Sequence, residues 1–274
     1  MNERGTPVWY ASLQLRYGQR HGRTVPILRQ HQGPLRVQKH FVQPDGSCQH
    51  IILHPPGGIA GGDVLALDIA LEQDADVLIT SAGAAKWYNG FGQAAQQTLT
   101  VNLARHSRLA WLPLETIVFD GAQVQSQNRF DLQPDAALLW GEVVCFGRPA
   151  GNKPFQQGYW RQRTEIWRQQ QLLWCEHTRL AASDPLWQSA IGLGGHSVIA
   201  TLLWTGQIPD ACHQEILALP CKGEAGATQL PEVWLARFIG DSAEAAWHWL
   251  RAARELLYPH THQRHADTPR IWRT

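Results

Sequence analysis

Residues 53–90, LHPPGGIAGGDVLALDIALEQDADVLITSAGAAKWYNG, hold the densest run of special backbone and charge requirements in the chain. Pro55 and Pro56 fix φ and remove two amide donors, whereas Gly57, Gly58, Gly61 and Gly62 admit positive φ. Asp63 then sets a carboxylate just ahead of a strand pattern. From Val64 to Leu71 the apolar residues Leu65, Leu67, Ile69 and Leu71 alternate with smaller or polar ones, the period of a half-buried strand. Val77 to Thr80 resumes the β-branched character after an acidic turn over Glu72–Asp76. A second turn around Gly83 delivers Lys86, Trp87 and Tyr88. One carboxylate, one ammonium and two aromatics are thereby mounted on turns beside rigid β-structure.

The same short-strand pattern extends to both sides. Trp9–Tyr17, Val25–Leu28, Leu35–Val42 and Cys48–Leu53 precede it. Thr98–Leu103, Leu109–Leu114, Thr116–Phe119, Arg129–Leu132, Leu138–Phe146, Gln162–Trp167 and Gln171–Cys175 follow it. Alternating strand and helix units are absent there, which disfavours a Rossmann or P-loop architecture. Helices are few and late, near residues 184–190, 210–218 and 242–257. Pro185 opens the first, and the D-S-A-E run at Asp241–Glu244 reads as a capping box for the last, with Pro259 as its stop. That last helix carries Trp247, Leu250 and Leu257 on an apolar stripe, which either docks on its own β-core or offers a surface to a partner. The expectation is one mainly β domain over residues 1–274, with the helices toward the C-terminus.

A chain of 274 residues with 44% hydrophobic content can bury a large core, and nothing in its composition points to disorder. The formal net charge of +1, without a long basic run, leaves no electrostatic footprint for nucleic acid or anionic lipid. The N-terminal stretch is charged and lacks an apolar core of its own, and no segment approaches the roughly 20 apolar residues of a membrane span. A cytoplasmic location is expected. The five cysteines are scattered without a C-x-x-C, which argues against a disulfide framework and against a structural zinc site. Most of the 13 tryptophans fall inside strand patterns and read as core or interface ballast.

Chemistry-bearing motifs are sparse. GGIAGGD lacks the Lys-Ser/Thr of a phosphate loop, and the GLGGHS run holding Gly194, Gly195 and His196 breaks the dinucleotide spacing. No G-x-S-x-G occurs, and Cys145 lies between Val144 and Phe146 as a small core residue. His260, His262 and His265 form H-x-H-x-x-H after Pro259, read as a solvated tail, and His54 and His196 read as turn histidines. The carboxylates Asp63, Glu142 and Glu176 stand out because each interrupts or borders a strand pattern. Glu142, among Trp140, Val143 and Val144, must face water, find a partner or line an internal polar channel, since burying it unpaired costs several kcal/mol. Lys86 either pairs with Asp63 to fix the two turns or faces a partner; the pairing is the expectation.

LHPPGGIAGGD followed by LIT-x-x-GA-x-KWY resembles the signature of the urease accessory protein UreD family, also called UreH. GPLRVQ (33–38), WLPLETIVFDGA (111–122), CFGRPA (145–150), GLGGH (192–196), GDSAEAA (240–246) and PRIWRT (269–274) fit it in the same order, nearly end to end. The resemblance implies an elongated, β-helix-like stack with a minor helical portion near the C-terminus. It implies a urease maturation factor, not an enzyme, that docks on the urease apoprotein and recruits UreF and, through it, the GTPase UreG. It also implies a route for Ni²⁺ toward the carbamylated-lysine dinickel site, with no tightly bound cofactor and Ni²⁺ only in transit. Positions matching Asp63, Glu142 and Glu176 are among those the family implicates in that route. Spaced oxygen ligands suit a conduit, whereas a tight His/Cys site would trap the ion.

Four positions depart from the common family pattern T-x-P-G-A-T/S-K-F-Y-R: Ala82 for the proline, Ala85 for the hydroxyl residue, Trp87 for the phenylalanine and Asn89 for the arginine. Two other classes of function stay open on the residues alone. A metal-dependent hydrolase would cluster His54 or His196 with Asp63, Glu142 and Glu176 in an open pocket. A β-rich carbohydrate-binding module would align several indole faces on one exposed surface.

Overall fold

Three heptapeptides, LEQDADV (71–77), LARHSRL (103–109) and LQPDAAL (132–138), turn the chain in the same way in the computed structural model. The fourth residue of each, Asp74, His106 and Asp135, sits at φ 61°, 58° and 61°, a left-handed conformation for which Asp and His are enriched. Each turn closes with the same bond, from Ala75 N to Glu72 O, Ser107 N to Ala104 O and Ala136 N to Gln133 O. The turns also bond to one another, as Ala104 N donates to Leu71 O and Gln133 N to Leu103 O. This repeat makes the fold a stack of coils. The structure describes residues 9–148, 151 and 153–273; Pro149 and Ala150 of CFGRPA and Thr274 of PRIWRT lie outside that set.

The chain opens with a hairpin, β1 (Tyr10–Arg20) and β2 (Arg23–Gln32), and two short strands, β3 (Arg36–Val37) and β4 (Phe41–Val42). It then alternates between two sheets. β5 (Cys48–Leu53), β7 (Asp76–Ser81), β10 (Arg108–Trp111) and β13 (Ala137–Phe146) build the second sheet; β6 (Val64–Leu71), β9 (Ala95–Leu103), β12 (Gln123–Leu132) and β14 (Tyr159–Arg168) build the first. Strands from successive coils pair in parallel, so Leu67, Leu99, Asn128 and Thr164 form one row across the first sheet. A narrow third side carries β8 (Ala85–Trp87) and β11 (Thr116–Val118), in parallel register with the end of β13. β15 (Gln171–Ala181) closes the first sheet by a hairpin with β14. β16 (Val198–Trp204), β17 (Glu224–Gln229) and β18 (Trp234–Gly240) extend the second sheet antiparallel, and the helices α1 (Asp210–Leu217) and α2 (Ala243–Thr261) cover its outer face. The expected β-helix-like stack with late helices is what the structure has.

Each sheet has a different neighbour on its outer side, and the sequence shows it. The first sheet faces water with Thr98, Thr100 and Asn102 while Leu99, Val101 and Leu103 are buried. Its clean alternation follows, although most of its strands are parallel. The second sheet is covered on both faces. In β13, Leu138, Trp140, Val144 and Phe146 join the core between the sheets, while Leu139, Val143 and Cys145 join a second core under the helices. A near-continuous apolar run is the result.

The second core takes Trp247, Leu250 and Leu257, which are 7%, 3% and 0% exposed. The stripe therefore docks on its own β-core, and the structure places these three residues away from any partner surface. Ser242, not Asp241, caps α2 through Ala245 N, and Asp241 instead bonds His196 Nδ1 and Ser197 N. Pro259 does not stop the helix, which runs on to Thr261. His262 is no part of a solvated tail. It is 2% exposed, stacks on Tyr258 at 3.9 Å between ring centroids and bonds Thr261 Oγ1; burial and the nearby Arg264 keep it neutral by holding its pKa well below the usual range. The 184–190 expectation is met only by a single 3₁₀ turn, Pro185–Trp187.

Candidate functional site

The space between the sheets is not filled along its whole length. A cavity of about 560 Å³ runs along the stack and touches all four coils. Its outer rim is the pair of turns that dominates the sequence. His54, Pro55, Gly57 and Gly58 line it from one coil, and Ala82, Gly83, Ala84 and Lys86 from the next. Gly57 holds φ 74° in a turn closed by its N–H on His54 O, and Pro55, Pro56 and Gly57 are exposed. A Cβ at Gly58 would sit 1.9 Å from the Tyr88 ring, and one at Gly61 would sit 2.2 Å from Gly90 Cα, so those two glycines let adjacent turns stack in contact. Tyr88 itself packs on Phe119, with ring centroids 4.8 Å apart.

Deeper in, the lining turns polar. Gln97, Ser126, Asn128 and Gln162 project from the first sheet, and Glu142 meets them from β13. Gln162 Nε2 lies 2.9 and 2.8 Å from the two Glu142 oxygens and 3.3 Å from Thr164 Oγ1. Asn128 Nδ2 also donates to Thr164 Oγ1, at 3.1 Å. Burial raises the Glu142 pKa to about 7, with Glu176 pushing the same way and the Gln162 bonds and Arg237 opposing. This carboxyl therefore changes charge near neutral pH. Beyond it, Glu176 on β15 accepts from Arg237 Nη2 on β18 at 2.7 Å.

The three acids singled out in the sequence do not form one cluster. Glu142 lines the cavity and Glu176 lies just past its end, close enough to act on Glu142 through space. Asp63 is 8% exposed and its carboxylate is engaged by backbone, accepting from Ala60 N at 2.9 Å and Trp9 N at 3.3 Å. It braces the turn that Gly62 makes at φ 87°. Asp63 and Lys86 form no ion pair among the described residues; Lys86 instead lines the cavity, and its carbonyl accepts from Ile59 N. His54 also lines the cavity, its pKa lowered by burial and partly restored by Asp63. His196 sits elsewhere, on Asp241 at 2.9 Å, after Gly194 and Gly195 at φ 57° and 89°. Among the described residues no three His, Cys, Asp or Glu side chains are placed to hold a metal ion together. That leaves the hydrolase reading without its constellation. Nine of the tryptophans are buried, so the aligned indole surface of a carbohydrate module is absent among the described residues.

The model of the family described as UreD urease accessory protein matches residues 10–273. The chain belongs to the UreD family. A protein of Pseudomonas aeruginosa strain PAO1 named Urease accessory protein UreD is 44% identical over 270 residues, covering 98% of this chain and 96% of the relative. Its namesake from Pseudomonas fluorescens Pf-5 is 43% identical with the same coverage. Urease accessory protein UreD 2 of Pseudomonas syringae pv. syringae is 44% identical over 274 residues, again with 98% and 96% covered. A urease accessory role, in association with the urease machinery, follows for this chain. No helix among the described residues is long and apolar enough to cross a membrane.

On this UreD scaffold, three of the four departures from the common motif line the cavity, and the fourth, Asn89, lies outside its lining. Ala82 and Ala85 line the cavity, Trp87 is buried edge-on to Trp160, and Asn89 accepts from Phe91 N while packing on Gly121. The residues that sequence reading passed over are Gln162, Thr164, Asn128 and Arg237. One signal was present for the first two. In YWRQRTEIW (159–167) the charges Arg161, Arg163 and Glu165 must point to water, which turns Gln162 and Thr164 inward.

Proposed function

We propose that this UreD-family chain is a maturation scaffold that does no bond-making of its own. It docks on the urease apoprotein, recruits UreF and, through it, the GTPase UreG, and gives Ni²⁺ a protected path toward the urease active site. The observation that carries this reading is the cavity between the sheets, whose lining runs from the exposed proline-glycine turn to the carboxyl of Glu142. Its inner polar groups are amides, hydroxyls and one acid, with His54 and Lys86 at the rim, and among the described residues they are not gathered into a metal site. Such oxygen donors bind a divalent ion weakly and let it go. Glu142 and Glu176 are the conduit acids in this reading, and Asp63 supports the turn at the rim. Action in the cytoplasm, where UreG and GTP are available, belongs to the same reading. The test is co-expression with the urease subunits, UreF and UreG, followed by pull-down and by nickel content per urease. Glu142→Gln combined with Glu176→Gln is expected to leave the complex assembled and to lower nickel content. Wild-type nickel content in that variant removes the conduit.

A further inference from the structure

Glu142 and Gln162 line the cavity, and the line of polar residues continues past them. Directly paired residues in a sheet project to the same face. Glu142 pairs with Thr201 on β16, and Thr201 with Arg237 on β18, so all three share the inner face of the second sheet. Opposite them, Asn128 pairs with Thr164, and Thr164 with Glu176 on β15. The two rows meet at the rim, where Arg237 Nη2 donates to Glu176 Oε2 at 2.7 Å. Thr164 and Thr201 are buried behind this contact, whereas the side chains of Arg237 and Glu176 are 38% and 23% exposed. An ion pair between the two sheets thus stands between the last acid of the cavity and solvent.

We propose that Arg237 is a tethered counter-cation of the conduit, displaced from Glu176 by a divalent ion arriving past Glu142 and expelling that ion when it returns. The inference rests on the conduit reading above and adds a residue to it. A guanidinium keeps its charge at any working pH, so its exchange with a metal ion is a movement and not a titration. Partly exposed ion pairs are held weakly enough to open. A doubly charged ion attracts the Glu176 carboxylate more strongly than a single guanidinium does. Without Arg237, the Glu176 carboxylate would stand uncompensated beside the Glu142 carboxyl, and the pair would hold a passing ion. With Arg237 present, the Glu176 charge is reclaimed at each passage, and a path that would otherwise retain its cargo releases it.

The test uses the purified full-length protein with Ni²⁺ alone as probe, by equilibrium dialysis. Arg237→Gln is expected to bind Ni²⁺ about tenfold more tightly than wild type, and Arg237→Gln with Glu176→Gln to return to wild-type affinity or weaker. Arg237→Lys keeps the charge without the planar fork; it shows the same change at about threefold and stands in if Arg237→Gln fails to fold. In cells, urease nickel content falls with Arg237→Gln and recovers with Arg237→Lys. Wild-type Ni²⁺ affinity in Arg237→Gln, or in Arg237→Lys where only that variant folds, overturns the proposal, as does tight binding that persists in the double variant. Lowered urease nickel from Glu142→Gln with Glu176→Gln, beside unaltered Ni²⁺ affinity in the Arg237 variants, overturns the role of Arg237 alone. Unaltered urease nickel in that carboxylate pair overturns the conduit itself.

Discussion

Gln162 Nε2 donates to both oxygens of the Glu142 carboxylate, at 2.9 and 2.8 Å, and so ties the two sheets together across the inner end of the axial cavity. The bond does not compensate the burial of Glu142, whose pKa rises to about 7. A carboxyl that holds its proton more tightly when folded stabilises the fold fully below about pH 4.5 and loses that contribution as pH rises through about 7. Glu142→Gln removes the titration. Urea unfolding at pH 4.5 and pH 8 should therefore show a wild-type loss, relative to the variant, on the order of 3 kcal/mol. Equal pH dependence in the two proteins would place the Glu142 charge in water.

Asp63 offers a separation of brace from ligand. Its two oxygens satisfy Ala60 N and Trp9 N, so Asp63→Ala leaves two backbone donors short and should cost about 1–3 kcal/mol in thermal or urea unfolding. Asp63→Asn keeps an acceptor oxygen but not the charge. As a turn brace, Asn recovers most of the lost stability and of the urease nickel content. A variant as stable as wild type that still fails to load urease would show that the negative charge itself is needed.

The C-terminal segment sets one ring into the second core. Trp272 is 6% exposed, donates from Nε1 to Thr80 Oγ1 on β7 at 2.8 Å, and lies 5.6 Å from the Trp247 ring. Arg251 and Arg254 stand over it, each 5.3 Å from its centroid. Trp272→Ala is expected to lower unfolding stability by about 3–5 kcal/mol, and Trp272→Phe by much less, since Phe fills most of the space and loses only the Thr80 bond. Equal losses in the two variants would assign the effect to that bond.

The class of fold could be read from period-2 alternation and from turn residues, because the first sheet keeps one face in water and so preserves the pattern in Leu65, Leu67, Ile69 and Leu71. The alternation of strands between two sheets could not be read that way. It is encoded in the turns at Asp74, His106 and Asp135, whose shared geometry rests on backbone conformation while their sequences differ. The acids at 142 and 176 were visible because each breaks an apolar run. Their partners were not, since Arg237 in WLARFIG looks like any solvent-facing charge on an alternating strand until β18 is set beside β16. Pro259 misled for a local reason. The chain absorbs it near the end of α2 at the loss of one backbone donor, and the helix closes beyond it with His262 N on Tyr258 O.

Ser126 gives a direct way to ask whether the cavity is used. It projects inward from β12, is 5% exposed and lines the cavity between Gln97 and Gln162 in the same row of the first sheet. Ser126→Leu adds bulk into space that is already empty, so the strain that usually follows overpacking, about 1–3 kcal/mol, should be largely avoided. It also removes a hydroxyl from the polar segment and places three methyl-sized groups across the path from the rim to Glu142. The expected outcome is a protein that folds and assembles as wild type, with unfolding stability within about 1 kcal/mol, but that yields urease with reduced nickel content. Ser126→Ala, which opens the path slightly, should leave nickel content unaltered. If Ser126→Leu loads urease as well as wild type does while its stability confirms that the leucine is accommodated, the ion travels outside this cavity, and Glu142 owes its place there to something other than transport.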